Sequence, residues 1–252
     1  MLPRELASRF ALSPAEMFFE SDAWTREIFA MGEAVQGRME GEVARTVVDL
    51  NRDPGHRPPS HPDGVIKTLT AYGRQVWTDD GFPNPDEVER LLDRYHRPYH
   101  ENLARIAGRG GVRLAFDCHS VAPYGPPHSP DAGACRPIFN LCNCGDDKGE
   151  GPEVTAPAPL LNQLAQLLRD EFTDLSDNGV QLVQLNRPHS GGYTLQRHGR
   201  GHTPWVQFDV NRRLYLQEDD QASAVPDSDR ELIASLRRRL FRVMGLLAET
   251  LA

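Results

Sequence analysis

No stretch of 18 apolar residues occurs in this chain, so nothing in it reads as a membrane span. The N-terminus lacks the charged-then-apolar pattern of a secretory signal, and the cytoplasm is the expected compartment. An excess of cations is missing too. Lys and Arg total 28 against 36 Asp and Glu, a net charge of −8, whereas a nucleic-acid surface needs clustered basic residues. The basic run Arg237-Arg238-Arg239 falls on a helix-like segment and reads as a solvated face. Cysteine is scarce, with Cys118, Cys135, Cys142 and Cys144. No CxxC pair exists, which argues against a structural zinc held by four thiolates. Cys142-Asn143-Cys144 reads as buried or loop thiols, with a disulfide or a metal as the alternative. Repeats and low-complexity linkers are absent.

What is present suits one α/β domain, residues 1–252, with 39% apolar residues to build its core. Trp24, Ile28, Met31 and Val35 recur at helical spacing and predict a helix over 24–39. A β-branched strand is expected over 43–50. Residues 53–86 hold eight prolines and glycines before Pro83 and read as a long irregular excursion, a kind of segment that is usually functional or disordered. A helix is expected over 86–108, with Asn84-Pro85-Asp86-Glu87 at its start, Gly108 at its end and Pro98 kinking or breaking it. Strands are expected at 112–116, 138–142 and 180–185, and helices at 160–172 and 232–251. Residues 193–197 and 204–216 read as two arms of an antiparallel pair. The alternation of strands and helices predicts an α/β fold with a mixed sheet flanked by helices.

The most informative run is Phe116-Asp117-Cys118-His119-Ser120, read as the C-terminal end of the strand over 112–116. Strand ends of α/β sheets present ligands and catalytic groups to a crevice. The run Ala44-Arg45-Thr46-Val47-Val48-Asp49-Leu50-Asn51-Arg52 likewise ends on a carboxylate, an amide and a guanidinium. Two strands delivering polar groups from their ends suggest one site. Strand period puts Asp117 on the same face as His119, where it can orient the imidazole.

Asp49-Leu50-Asn51-Arg52, Pro98-Tyr99-His100, Asp117-Cys118-His119-Ser120, Phe139-Asn140-Leu141, Gly191-Gly192-Tyr193 and Val206-Gln207-Phe208-Asp209 occur in the order and approximate spacing seen in N-formylglutamate amidohydrolases. Asp22-Ala23-Trp24 resembles that family's early acidic-aromatic motif. The resemblance spans roughly residues 2–217. It extends in fold to the zinc carboxypeptidases and to the aspartoacylase and succinylglutamate desuccinylase group.

The resemblance implies zinc-dependent hydrolysis of a small N-acyl amino acid such as N-formylglutamate. A catalytic zinc takes three protein ligands, commonly two histidines and a carboxylate. The resemblance puts His119 and Asp22 among them, with Asp117 and Asp49 as supporting carboxylates. Arg52 would grip a substrate carboxylate bidentately, and Asn51 the same group or the scissile carbonyl. Gly191 and Gly192 would let the backbone approach a ligand closely. Either Arg197 or His198 would reach substrate. His100 matches a family motif, with helix packing as the alternative. Asp209 stands where the family has a glutamate general base, and is one methylene shorter. Family members open on a strand leading into Pro-His-x-Gly, whose histidine resembles a first zinc ligand. Met1 to Leu6 resemble the residues immediately after that motif. An upstream segment of roughly 15–30 residues, one strand with its turn and leader, is therefore expected, with a degenerate carboxylate-binding relative on the same fold as the alternative.

Overall fold

A computed structural model describes residues 1–176, 179–217 and 224–251. Seven α-helices and four strands are formed by these residues: α1 Pro14–Phe19, α2 Thr25–Ile28, α3 Pro85–Leu91, α4 Arg97–Ala107, β1 Ala115–Val121, β2 Phe139–Cys142, α5 Ala158–Glu171, β3 Val183–Leu185, α6 Tyr193–His198, β4 Trp205–Asn211 and α7 Arg230–Thr250. The strands make one mixed sheet in the order β1-β4-β2-β3. β1 runs parallel to β4, β4 antiparallel to β2, and β2 parallel to β3.

Register divides this sheet into two chemically distinct faces. Successive side chains on a strand alternate between faces, and paired residues share one. Val206, Phe208 and Val210 of β4 and Phe139 and Leu141 of β2 form an apolar face, covered by α2, α5 and α7. Helix α7 contributes Ile233, Leu236, Leu240, Val243 and Leu247 at helical spacing, and Asp229 Oδ1 caps it by accepting from the amides of Glu231 and Leu232. The opposite face carries Asp117 and His119 beside Gln207 and Asp209, which pair in turn with Cys142 and Asn140.

A second apolar cluster lies apart from the sheet. Leu6, Val47, Val48, Val65, Ile66, Val76, Trp77 and Leu92 are among its members, and it gathers the excursion over 53–86 against α3. The excursion has the irregular, turn-rich course expected of it, with an isolated bridge between Leu69 and Gln75 and another joining Trp77 to Phe10.

Four expected elements differ. Residues 43–50 form no strand. The amides of Val47 and Val48 both donate to Ala44 O, and that of Asp49 to Val65 O. The β-branched run is buried in the second cluster, so its apolar character reflects packing rather than a ladder. The expected helix over 24–39 shrinks to α2 and a 3₁₀ turn at Gly32–Ala34, because Trp24 and Gly32 both take positive φ. Residues 193–197 are helical. Strand β1 starts at Ala115 and runs through His119, so the Asp-Cys-His-Ser residues lie within the strand rather than after it. Polar residues signal a strand end only when the sheet face is apolar, and this face is not.

Pro98 neither breaks nor sharply divides its helix. A π-turn, Leu92–His96, joins α3 to α4, with the Arg97 amide donating to Leu92 O. The extra residue of the π-turn absorbs the strain that proline imposes.

Candidate active site

Asp22 and His119, 97 residues apart in sequence, meet on the polar side of the sheet, with Asp22 Oδ2 3.2 Å from His119 Nδ1. Asp22 lies just before α2, and the Ser120 amide donates to its Oδ1 at 2.8 Å. On the other side of the ring, Asp117 Oδ2 is 3.0 Å from Nε2. This is an ionic contact, since Asp117 Oδ2 has no aligned hydrogen-bond donor. Burial disfavours the imidazolium, but Asp117 and Asp22 outweigh it and raise the His119 pKa well above the usual range. Burial likewise works against the Asp22 carboxylate, while Arg45 and His119 hold it far below the usual range.

Arg45 carries no motif that marks it as a site residue, yet it is central. Its Nη2 is 3.1 Å from Asp22 Oδ2 and 3.4 Å from His119 Nδ1, and its Nε is 3.5 Å from Asp49 Oδ2. A cation within a β-branched run is the one sequence signal for it. Asp49 does not touch His119. It accepts from the Asn51 amide at 3.0 Å and faces both Arg45 and Lys67. Lys67, 2% exposed, pairs with Asp63 and also lies near Glu20, at 3.4 Å. A buried charge network therefore joins the residue 45–52 segment to the excursion.

Asn51 points at the imidazole. The Thr194 amide donates to Asn51 Oδ1 at 2.8 Å, which leaves Asn51 Nδ2 facing His119 Nε2 at 3.1 Å. The Tyr193 amide donates to Asn51 O at 3.2 Å. Asn51 thus satisfies the two leading N–H groups of α6 from a distant part of the chain, and this explains why residues 193–197 are helical. Gly192 is required by the same contact, since a Cβ there would overlap the Asn51 side-chain amide. Gly191, at φ +135°, makes the turn into the helix.

Arg52 is turned toward the excursion, where Nε donates to Asp63 O at 3.0 Å and Nη2 to Asp63 Oδ2 at 2.7 Å. Arg197 lies on the outer side of α6 against Tyr193, whereas His198 turns inward. Asp209 is fully buried beside His119 in the register. Gln207 Nε2 donates to its Oδ1 at 2.8 Å and Asn140 Nδ2 to its Oδ2 at 2.9 Å. Neither amide stands out as a site residue in the sequence, although strand period from Asp209 reaches Gln207. Cys142 and Cys144 form no disulfide, and burial raises the pKa of the Cys142 thiol.

The donor set fits a catalytic zinc in part. Asp22 Oδ2 and His119 Nδ1 converge, and Asp117 stands behind the ring as a supporting carboxylate should. Among the described residues, no group of three His, Cys, Asp or Glu side chains is placed to hold a metal.

Fold and site together define an α/β protein whose polar sheet face presents a carboxylate–imidazole centre. The chain belongs to the N-formylglutamate amidohydrolase family, whose model matches residues 1–216. It is 28% identical over 208 residues to the N-formylglutamate deformylase of Pseudomonas aeruginosa, covering 77% of this chain and 72% of that one. It is 27% identical over 187 residues to the N-formylglutamate deformylase of Pseudomonas putida, covering 71% of this chain and 64% of that one. The fold is similar to the crystal structure of N-formylglutamate amidohydrolase from Ralstonia eutropha JMP134, with a TM-score of 0.67 at 20% identity, covering 100% of this chain and 90% of that one.

Proposed function

We propose that this chain is a zinc-dependent, cytoplasmic amidohydrolase that cleaves an N-acyl amino acid, N-formylglutamate first among them. The observation that carries the reading is the meeting of Asp22 and Arg45 at His119 Nδ1, with Asn51 facing Nε2 of the same ring. Asp22 and His119 are the residues that would hold zinc, and a zinc there would polarise the acyl carbonyl and acidify a water. Asp117 keeps the imidazole oriented. Arg45 faces the reacting carbonyl, where a guanidinium stabilises developing negative charge. Asp209 takes the proton of the attacking water and returns it to the leaving amine, its two oxygens held in place by Gln207 and Asn140. Arg52 binds a substrate carboxylate in exchange for Asp63, and Arg197 in exchange for Tyr193, with Asn51 completing the grip and Gly191 and Gly192 leaving room for it.

A second reading, a carboxylate-binding relative without catalysis, is favoured by the Arg45 guanidinium lying beside both zinc donors. Purified protein should be analysed for metal and assayed for formate release from N-formylglutamate and for acid release from other N-acyl amino acids. Zinc near one per chain with formate release supports the enzyme. Binding of N-formylglutamate by a metal-free protein, with no hydrolysis of any member of the panel, sinks it.

A further inference from the structure

We infer that His96, His100 and His198 are positioning residues that lock the carbonyls of the two residues flanking Asn51, and so aim Asn51 into the site. This rests on the reading of Asn51 as a substrate contact. The 45–52 segment belongs to no sheet or helix, so its buried carbonyls need donors from elsewhere. Leu50 O and Arg52 O flank Asn51. His100 Nε2 lies 2.8 Å from the first and His96 Nε2 2.9 Å from the second. Both histidines are 2% exposed.

A carbonyl only accepts, so each ring carries its proton on Nε2. In a neutral ring Nδ1 is then an acceptor. His198 Nε2 is 2.9 Å from His100 Nδ1, and it must donate. A directed chain results: His198 Nε2–H to His100 Nδ1, and His100 Nε2–H to Leu50 O. Burial, and His96 alongside, lower the His100 pKa to about 4, which keeps the ring neutral and this chain intact. Burial lowers the pKa of His96 and His198 as well.

The helix is built to present this pair. His96 ends the π-turn and His100 comes one helical turn later, so the rings lie side by side with centroids 4.5 Å apart. Tyr193 packs against both, at 5.6 and 5.0 Å, and Trp205 stacks on His198 at 5.6 Å. Asn51 itself is held by the first two amides of α6. Backbone and side chain of one residue are thus fixed by two helices that lie far apart in sequence.

The test uses the full chain. His100→Ala should lower kcat/KM for N-formylglutamate roughly 10- to 100-fold, chiefly through KM, as small misplacements of a positioning group do. His100→Gln keeps a donor at about the reach of Nε2 and should recover most of that loss. Nitrogen-15 NMR of the wild-type rings should show His96, His100 and His198 all protonated on Nε2. A folded His100→Ala variant with wild-type KM and kcat overturns the proposal, as does a His100 ring protonated on Nδ1. Should His100→Ala fail to fold, His100→Gln and the ring signals decide: a glutamine variant as impaired as a His96→Ala variant overturns it. A wild-type protein inactive on every N-acyl amino acid removes the substrate reading, and the proposal with it. Wild-type activity left unchanged by His100→Ala removes the proposal alone.

Discussion

Asp49 is 1% exposed and has no direct part in the reaction proposed, yet it fixes three neighbours. Burial works against its charge, but Arg45, Lys67 and Arg52 outweigh that and hold its carboxyl far below the usual range. This direction sets the sign of its pH linkage. A native pKa below the unfolded value of about 3.9 contributes stability that is present above pH 4 and is lost as pH falls through the native pKa. Asp49→Asn should therefore be less stable than wild type at pH 7, with the gap narrowing below about pH 4. Urea unfolding at pH 7 and pH 3 checks this, and a gap that widens on acidification contradicts it. At the same scale, Asp209→Asn should retain the fold while lowering kcat by roughly 10²–10⁴-fold if Asp209 is the base. An unchanged kcat would leave the base unassigned. Asp209→Glu restores the longer family side chain in a fully buried place, and activity should be retained or raised. Single-turnover kinetics on both variants decide the matter.

Helix α6 is short and has no side-chain cap of its own. Its existence depends on Asn51, and the approach of Asn51 depends on Gly192 having no Cβ. Gly192→Ala should cost about 1–3 kcal/mol by overpacking. It should also raise KM, because the displaced amide is the one facing His119. Thermal melting and steady-state kinetics measure the two effects. A variant with wild-type Tm and KM would show that the approach is looser than the geometry implies. The π-turn before α4 is a comparable device, since it lets one helix carry Pro98 and still present His96 and His100 to one target.

The two larger apolar clusters among the described residues have separate tasks. The larger packs α5 and α7 against the sheet, and the smaller supports the segment that reaches the site. Leu164 and Ile66 are each fully buried, one in each cluster. Replacing either with alanine should cost about 2–5 kcal/mol. Leu164→Ala should leave KM unchanged in the folded fraction. Ile66→Ala should raise it, because Val65 O receives the Asp49 amide and Lys67 pairs with Asp49 on either side. Denaturant melts with kinetics below the transition separate the cases, and equal KM values would show that the smaller cluster is not coupled to the site. No described helix is long and apolar enough to cross a membrane.

Local signals in the chain suffice for the fold class, the positions of β2, α5 and α7, the irregular excursion and the family. Those signals are helical apolar spacing, a short β-branched run, proline and glycine punctuation, and ordered short motifs. His119 is also legible from its strand and from Asp117 two residues before it, and Asp22 by motif position alone. Long-range contacts were needed to show that residues 43–50 are not a strand. A buried β-branched run has the same composition whether its amides pair with a neighbouring strand or turn back on Ala44. Residues 193–197 are helical for a reason equally remote, because the carbonyl and side chain that satisfy their first amides come from Asn51, more than a hundred residues away. Arg45, Lys67 and Asn140 stayed hidden for a related reason, whereas Gln207 lies two residues before its partner Asp209 on the same strand. A buried charge or amide is recognised by what stands opposite it, and those partners lie on other strands and loops of the chain.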